Sequence, residues 1–210
     1  MLAKWSSDLV SMLAEQGIIE ESKRDIYVYG FEILLSTLLN ALAITVIAVL
    51  TSTVMVSVAF VVFFGSIRVF AGGYHAGTHL RCFLLFGAIY IIFLLAVNNL
   101  LVPHPLISYV GIGSALLGGG TIWALAPVED DNRPLTTLER VTLRRKSRAI
   151  ALFQAVIILF AVLVTMTGWG LLWLEPLLFG MSAGLITATF SLVAGAIKNK
   201  DRPSTVHLAN

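Results

Sequence analysis

Charge is scarce in this sequence. Only 12% of its 210 residues are Asp, Glu, Lys or Arg, while 58% are apolar. A soluble globule carries about 25% charged and 45–50% apolar residues, so this chain has too little polar surface to cover itself in water. Its mean hydropathy of +0.90 also excludes disorder, which requires low hydrophobicity and high net charge. Cysteine is nearly absent: Cys82 is the only one, which excludes a disulfide-stapled secreted domain. The net charge is only +2, so there is no dominating basic face of the kind nucleic acid demands, and no nucleic-acid partner is expected.

Long apolar runs are what the sequence does have. A membrane helix needs about 20 mainly apolar residues to cross a hydrocarbon core about 30 Å thick. Six stretches qualify: Ile26–Leu50, Thr53–Phe70, Phe83–Leu101, Leu106–Ala126, Ala149–Thr167 and Leu171–Ile197. The first holds one carboxylate, Glu32, and the last holds Glu175, followed by Pro176. The expected fold class is an all-α polytopic membrane protein of six transmembrane helices, a single integral membrane domain over 1–210.

Basic residues fix the expected orientation. With the N-terminus inside, segments 1–25, 68–82, 127–148 and 198–210 face the cytoplasm, and they hold all 14 Lys and Arg residues. The outer turns near Thr51, Pro103 and Gly168 hold none. A wrong span count would scatter charge to both sides, so the one-sidedness supports an N-in, C-in layout in the cell membrane. Within segment 1–25, Leu2, Trp5, Leu9, Met12 and Leu13 recur at spacings of three and four until Gly17, which predicts an amphipathic helix on the inner membrane surface, in contact with lipid. A secretory signal is not expected, because no short apolar core precedes a small-residue cleavage site. Loop 127–148 is expected to become helical from about Leu135, capped by Thr136 or Thr137, before spans five and six at 149–197 and the cytoplasmic tail at 198–210.

One cluster has the residue types for chemistry. Between Arg68 and Cys82 lie Gly72, Gly73, Tyr74, His75, Gly77, His79 and Arg81. A free thiol titrates near 8.5 and needs a base or positive neighbour to become a thiolate at neutral pH; a histidine near 6.5 serves as that partner and then as acid for the leaving amine. In an unbroken helix His75 and Cys82 share a face about 10 Å apart, too far for a hydrogen bond, and His79 is the nearer partner. The glycines argue against an unbroken helix, and a turn near Gly77 would return His75 to the thiol. Both histidines therefore stand as candidate bases. An inert reading stands beside the catalytic one, with Cys82 a small hydrophobe and the histidines and arginines reaching toward lipid headgroups. A metal site of His75, His79 and Cys82 lacks a fourth ligand and has arginines on both sides, so no metal and no cofactor is expected.

The run Arg68, Gly72-Gly73-Tyr74-His75-Ala76, Cys82, with six residues between His75 and Cys82, resembles the core motif of the accessory gene regulator B (AgrB) family, membrane cysteine endopeptidases of peptide quorum sensing. A second block resembles the loop after that family's fourth span: Ala126-Pro127, Asn132-Arg133-Pro134-Leu135, Glu139-Arg140 and Arg144-Arg145-Lys146-Ser147. The resemblance covers nearly the whole chain. Arg stands in the second block where Lys is common, which keeps charge but changes hydrogen-bond geometry.

The resemblance implies cleavage of the C-terminal tail from a short AgrD-like propeptide, coupled to closure of a thiolactone or lactone. It implies His75 and Cys82 as the catalytic pair, Arg68 and Gly73 as neighbouring motif positions, and an acidic propeptide tail held by Arg140, Arg144, Arg145, Lys146 and Arg148. Those five also have an ordinary role as headgroup-binding topology determinants. His79 remains a rival base. Glu32, an intramembrane carboxylate, is a candidate supporting residue, or simply an interfacial acid paired with Arg24 or Arg68. Small residues Gly111, Gly113, Ser114 and Gly118–Gly120, then Gly180, Ser182, Ala183 and Gly184, permit close helix packing within one chain or in a homodimer. A small transporter or channel is the competing class. It is weakened by the near absence of intramembrane charge and of paired broken helices.

Overall fold

A computed structural model describes residues 2–74, 79–99, 104–129, 135–167 and 173–200. Among them the regular structure is helical, with no strand beyond one isolated bridge. Five helices are long and apolar enough to cross a membrane: Arg24–Leu50, Val54–Ala71, Leu106–Leu125, Thr137–Met166 and Leu174–Asn199. A shorter apolar stretch, Leu84–Ala96, lies within a helix spanning His79–Asn99.

The chain forms two compact units, Met1–Ser52 with Ala76–Tyr90, and Thr53–His75 with Ile91–Asn210. The first contains α1 (Leu2–Glu15), a 3-10 turn at Glu21–Lys23, α2 (Arg24–Leu50) and the first half of α4 (His79–Asn99). Helix α1 stops at Glu15, just before Gly17, whose left-handed φ of 70° turns the chain where the apolar spacing lapses. Helix α1 packs on α2, and Arg24 Nη2 donates to Ser11 Oγ at 2.7 Å. Its buried side chains are Ser6 and Val10, while Trp5 and Met12 on the expected apolar stripe are exposed. Helix α2 exposes Leu34, Leu38, Leu42 and Val46 along its length, an apolar exterior suited to lipid.

The second unit is built around α3 (Val54–Ala71) and α8 (Leu174–Lys200), the most extensively packed pair. Their axes approach closely because α8 turns glycines toward α3. A Cβ at Gly180 would stand 2.6 Å from the Val56 carbonyl oxygen, and one at Gly184 only 2.5 Å from that of Phe60. These small residues therefore serve packing within the chain. The fourth apolar stretch runs through α5 (His104–Gly113), a π turn at Ser114–Gly118 and α6 (Gly119–Leu125). The interruption is flanked by glycines, Gly113 before it and Gly119-Gly120 after it.

Helix α7 (Thr137–Met166) starts at a full capping box. The Thr136 N–H donates to Glu139 Oε2 at 2.9 Å, and Thr136 Oγ1 accepts from the Glu139 N–H at 3.3 Å. It then continues unbroken for 30 residues, so the expected boundary at 149 falls inside one helix. Its buried residues Ser147, Ala151, Gln154, Ile158, Ala161 and Val162 form one stripe. Gln154 Nε2 crosses to α3, donating to the Phe63 carbonyl at 3.1 Å and to Ser66 Oγ at 2.7 Å. Stacked rings join α4 to α3 and α8, with Phe93 4.8 Å from Phe60 and 5.7 Å from Phe179.

Candidate functional site

The first motif block begins in the last turn of α3. Gly72 caps that helix at φ 72° and Gly73 follows at φ 130°, angles that disfavour any residue with a Cβ. The helix stops there, and the chain turns where the glycines predicted a break.

The turn is held from three sides. From the second motif block, the Val128 N–H donates to the Ala71 carbonyl at 2.8 Å, and Gly72 and Val128 form a parallel bridge. From α8, the Ser191 carbonyl accepts the Tyr74 N–H at 2.7 Å. From α3 itself, Arg68 Nη2 donates to the Tyr74 carbonyl at 2.5 Å, and a Cβ at Gly73 would collide with the Arg68 guanidinium. Arg68 thus spans the turn that Gly73 keeps open. Both backbone groups of Tyr74, the residue before His75, are bonded.

The second block is secured in turn. Ala126 is fully buried and is joined to Pro127 by a cis peptide. Asn199 Nδ2 donates to the Glu129 carbonyl at 2.8 Å, and the Glu129 carboxylate pairs with Arg140. Lys198 Nζ lies 5.6 Å from the Tyr74 ring centroid, within cation–π range. The two blocks, 54 residues apart at Gly72 and Ala126, therefore meet at the end of α8.

His75 lies outside the described residues, as do the side chains of His79 and Cys82. The Cys82 backbone lies in the first turn of α4, and Glu32 is half-buried on α2 in the same unit. Arg144, Arg145 and Lys146 are exposed on the first half of α7. Lys146 Nζ stands 5.6 Å from the Phe70 ring, whereas Arg144 and Arg145 meet no carboxylate or ring among the described residues. Arg148 is occupied, donating from Nε to the Trp123 carbonyl at 3.0 Å. Among the described residues no group of three His, Cys, Asp or Glu could hold a metal ion.

The accessory gene regulator B family model matches residues 6–192, a range that takes in both motif blocks. This chain belongs to the AgrB family. Neither a curated protein nor a solved structure matches it. AgrB membership ties the chain to processing of a quorum-sensing peptide in the accessory gene regulator system, with an AgrD-like propeptide as the general partner. AgrB proteins are membrane processing proteases, and the long apolar helices agree with a multi-pass membrane protein.

Sequence reasoning missed Ser191, Gly195, Lys198 and Asn199. A signal was present: Gly180, Gly184, Ala188, Ser191 and Gly195 follow spacings of four, four, three and four, a small-residue face running the length of α8. Its last members meet the motif.

Proposed function

We propose that this chain is a membrane cysteine endopeptidase that removes the C-terminal tail of an AgrD-like propeptide and promotes closure of the cyclic product. The observation that carries the reading is the clamped turn at Gly72-Gly73-Tyr74: the second AgrB motif block pairs with the first at Ala71-Gly72, while Arg68 and Ser191 hold Tyr74, the residue preceding His75. Cys82 in the first turn of α4 adds support, because a helix N-terminus favours the thiolate.

In this reading His75 takes the Cys82 proton and the thiolate attacks a propeptide carbonyl. The tetrahedral intermediate collapses, breaking the C–N bond, and His75 returns the proton to the departing amine of the tail. A thioester to Cys82 remains. A Cys thiol or Ser hydroxyl within the propeptide then attacks that thioester, closing a thiolactone or lactone and restoring the Cys82 thiol. The thioester keeps acyl-transfer potential that hydrolysis to a carboxylate would discard, so a site that excludes water favours cyclisation. Arg68 and Gly73 shape the turn, and Arg144, Arg145 and Lys146 receive the acidic tail.

The layout belonging to this reading has six spans, both termini inside and the His75–Cys82 site at the cytoplasmic face, where the reducing compartment keeps a lone thiol free. The test is coexpression of Cys82→Ala, Cys82→Ser and His75→Ala with a tagged propeptide. The alanine variants are expected to leave it uncut; full cleavage by Cys82→Ala overturns the proposal. His79→Ala separates the two candidate bases, and retained cleavage assigns the role to His75.

A further inference from the structure

We infer that Gly195 of α8 is a positioning residue for His75, setting through the Tyr74 backbone where the imidazole stands. The inference rests on the endopeptidase reading above. Gly195 backs directly onto the peptide that links Gly73 to Tyr74: a Cβ there would stand 2.7 Å from the Gly73 carbonyl carbon and 2.8 Å from the Tyr74 nitrogen. Neither atom can swing aside alone, because both belong to one planar peptide unit, and any shift moves the whole unit against its hydrogen bond to Ser191.

The same face of α8 fixes that unit by attraction. Ser191, one turn earlier, accepts the Tyr74 N–H, and Lys198, nearly a turn later, lies over the Tyr74 ring. Spacings of four and three put 191, 195 and 198 in one row. The row attracts at its ends and sets the distance at its centre. Ordinary contact begins at 3.4 Å, so a methyl at 195 displaces the peptide by most of an ångström. Tyr74 is bonded at both its N–H and its carbonyl, so its own φ and ψ have little freedom to absorb the displacement before it reaches the bond to His75. A shift of about 1 Å at a reacting group costs on the order of a hundredfold in rate. Gly195 does this without touching substrate or thiol.

The experiment uses the full chain in lipid nanodiscs with a tagged propeptide. It measures kcat, KM and the pH dependence of Cys82 alkylation by iodoacetamide for Gly195→Ala, Gly184→Ala and His75→Ala. Gly195→Ala is expected to lower kcat about a hundredfold, hold KM within about threefold, and move the alkylation profile onto that of His75→Ala. Gly184→Ala strains the same α3–α8 contact at Phe60, about 16 Å of helix away from Ala71. It is expected to lose stability yet keep the wild-type profile. A folded Gly195→Ala with unchanged kcat and profile overturns the inference, and so does an equal kinetic loss in Gly184→Ala.

Should Gly195→Ala not fold, Lys198→Met removes the cation over Tyr74 without adding bulk. A fall in kcat of about threefold is then expected, and no change overturns the inference. If His75→Ala leaves both cleavage and alkylation at wild-type levels, the endopeptidase reading fails and the inference falls with it. If His75→Ala abolishes both while Gly195→Ala alters neither, the inference alone fails.

Discussion

Adding one methyl group at Gly184 tests how α3 and α8 are held together. The Cβ of an alanine would stand 2.5 Å from the Phe60 carbonyl oxygen, 2.9 Å from Phe63 Cβ and 3.1 Å from the Phe64 nitrogen. All three are backbone or Cβ atoms, so no side-chain rotation relieves the overlap, and the two helices must separate locally by about 1 Å. A gap of 0.5–1 Å forfeits roughly a quarter to a half of each pairwise attraction across it. Inside a bilayer that attraction is the main force between helices, since lipid tails are as apolar as the side chains. The buried α3 residues at the strain are Ala59, Phe60 and Phe63. The expected cost is about 2–3 kcal/mol, the upper part of the range for overpacking, against total stabilities of about 5–15 kcal/mol for folded domains. Equilibrium unfolding in mixed micelles, titrated with dodecyl sulfate and followed by far-ultraviolet circular dichroism, reads it directly. Gly120→Ala is the matched control: nothing lies within 4 Å of its Cβ, and helix propensity predicts a neutral change or a gain of up to about 1 kcal/mol. A Gly184→Ala midpoint equal to wild type, or an equal loss in Gly120→Ala, would refute the steric reasoning.

Thr136→Ala removes the capping box of α7 and is expected to cost about 1 kcal/mol, with faster amide exchange at 137–141 and no change near Ile158. Gln154→Leu gives up the two donated bonds to α3 but also removes Oε1, which is buried without a hydrogen-bond partner. Its unfolding midpoint should lie within about 1 kcal/mol of wild type, whereas Gln154→Ala, which leaves a void, should cost roughly 2 kcal/mol more. Reversing charge at Arg144, Arg145 and Lys146 should raise KM for the propeptide with kcat nearly unchanged, with topology verified by cysteine accessibility; unaltered processing would leave these residues a lipid role alone.

Much of this architecture is legible because the bilayer imposes a simple rule on composition. Helices α2, α3 and α8 begin and end within a few residues of the apolar runs that predict them. The Thr136 cap is readable too, since Thr-x-x-Glu carries its own hydrogen-bond logic. Hydropathy alone marks the charges from Arg140 to Arg148 as a loop; the cap predicts the helix found there, but not that it runs on without a break through the apolar stretch beyond. The π turn at Ser114–Gly118 has no periodicity that distinguishes it from the helix on either side. At the site, the Gly72-Gly73 break could be anticipated from glycine's freedom, but its clamps could not. Two of them are carbonyl and amide groups, at Ser191 and Val128, which every residue possesses and no side-chain pattern announces.

The continuity of α7 limits how this protein can vary. Arg144 and Arg145 sit on the same rigid rod as Gln154, so their direction is geared to the face that Gln154 presents to α3. Inserting or deleting one residue between them would swing the cations about 100° around the axis, because each residue of a helix adds that rotation. A flexible connection would absorb such a change. Here length variation is tolerable in whole turns, or in the segment before Thr136, where the rod has not yet begun.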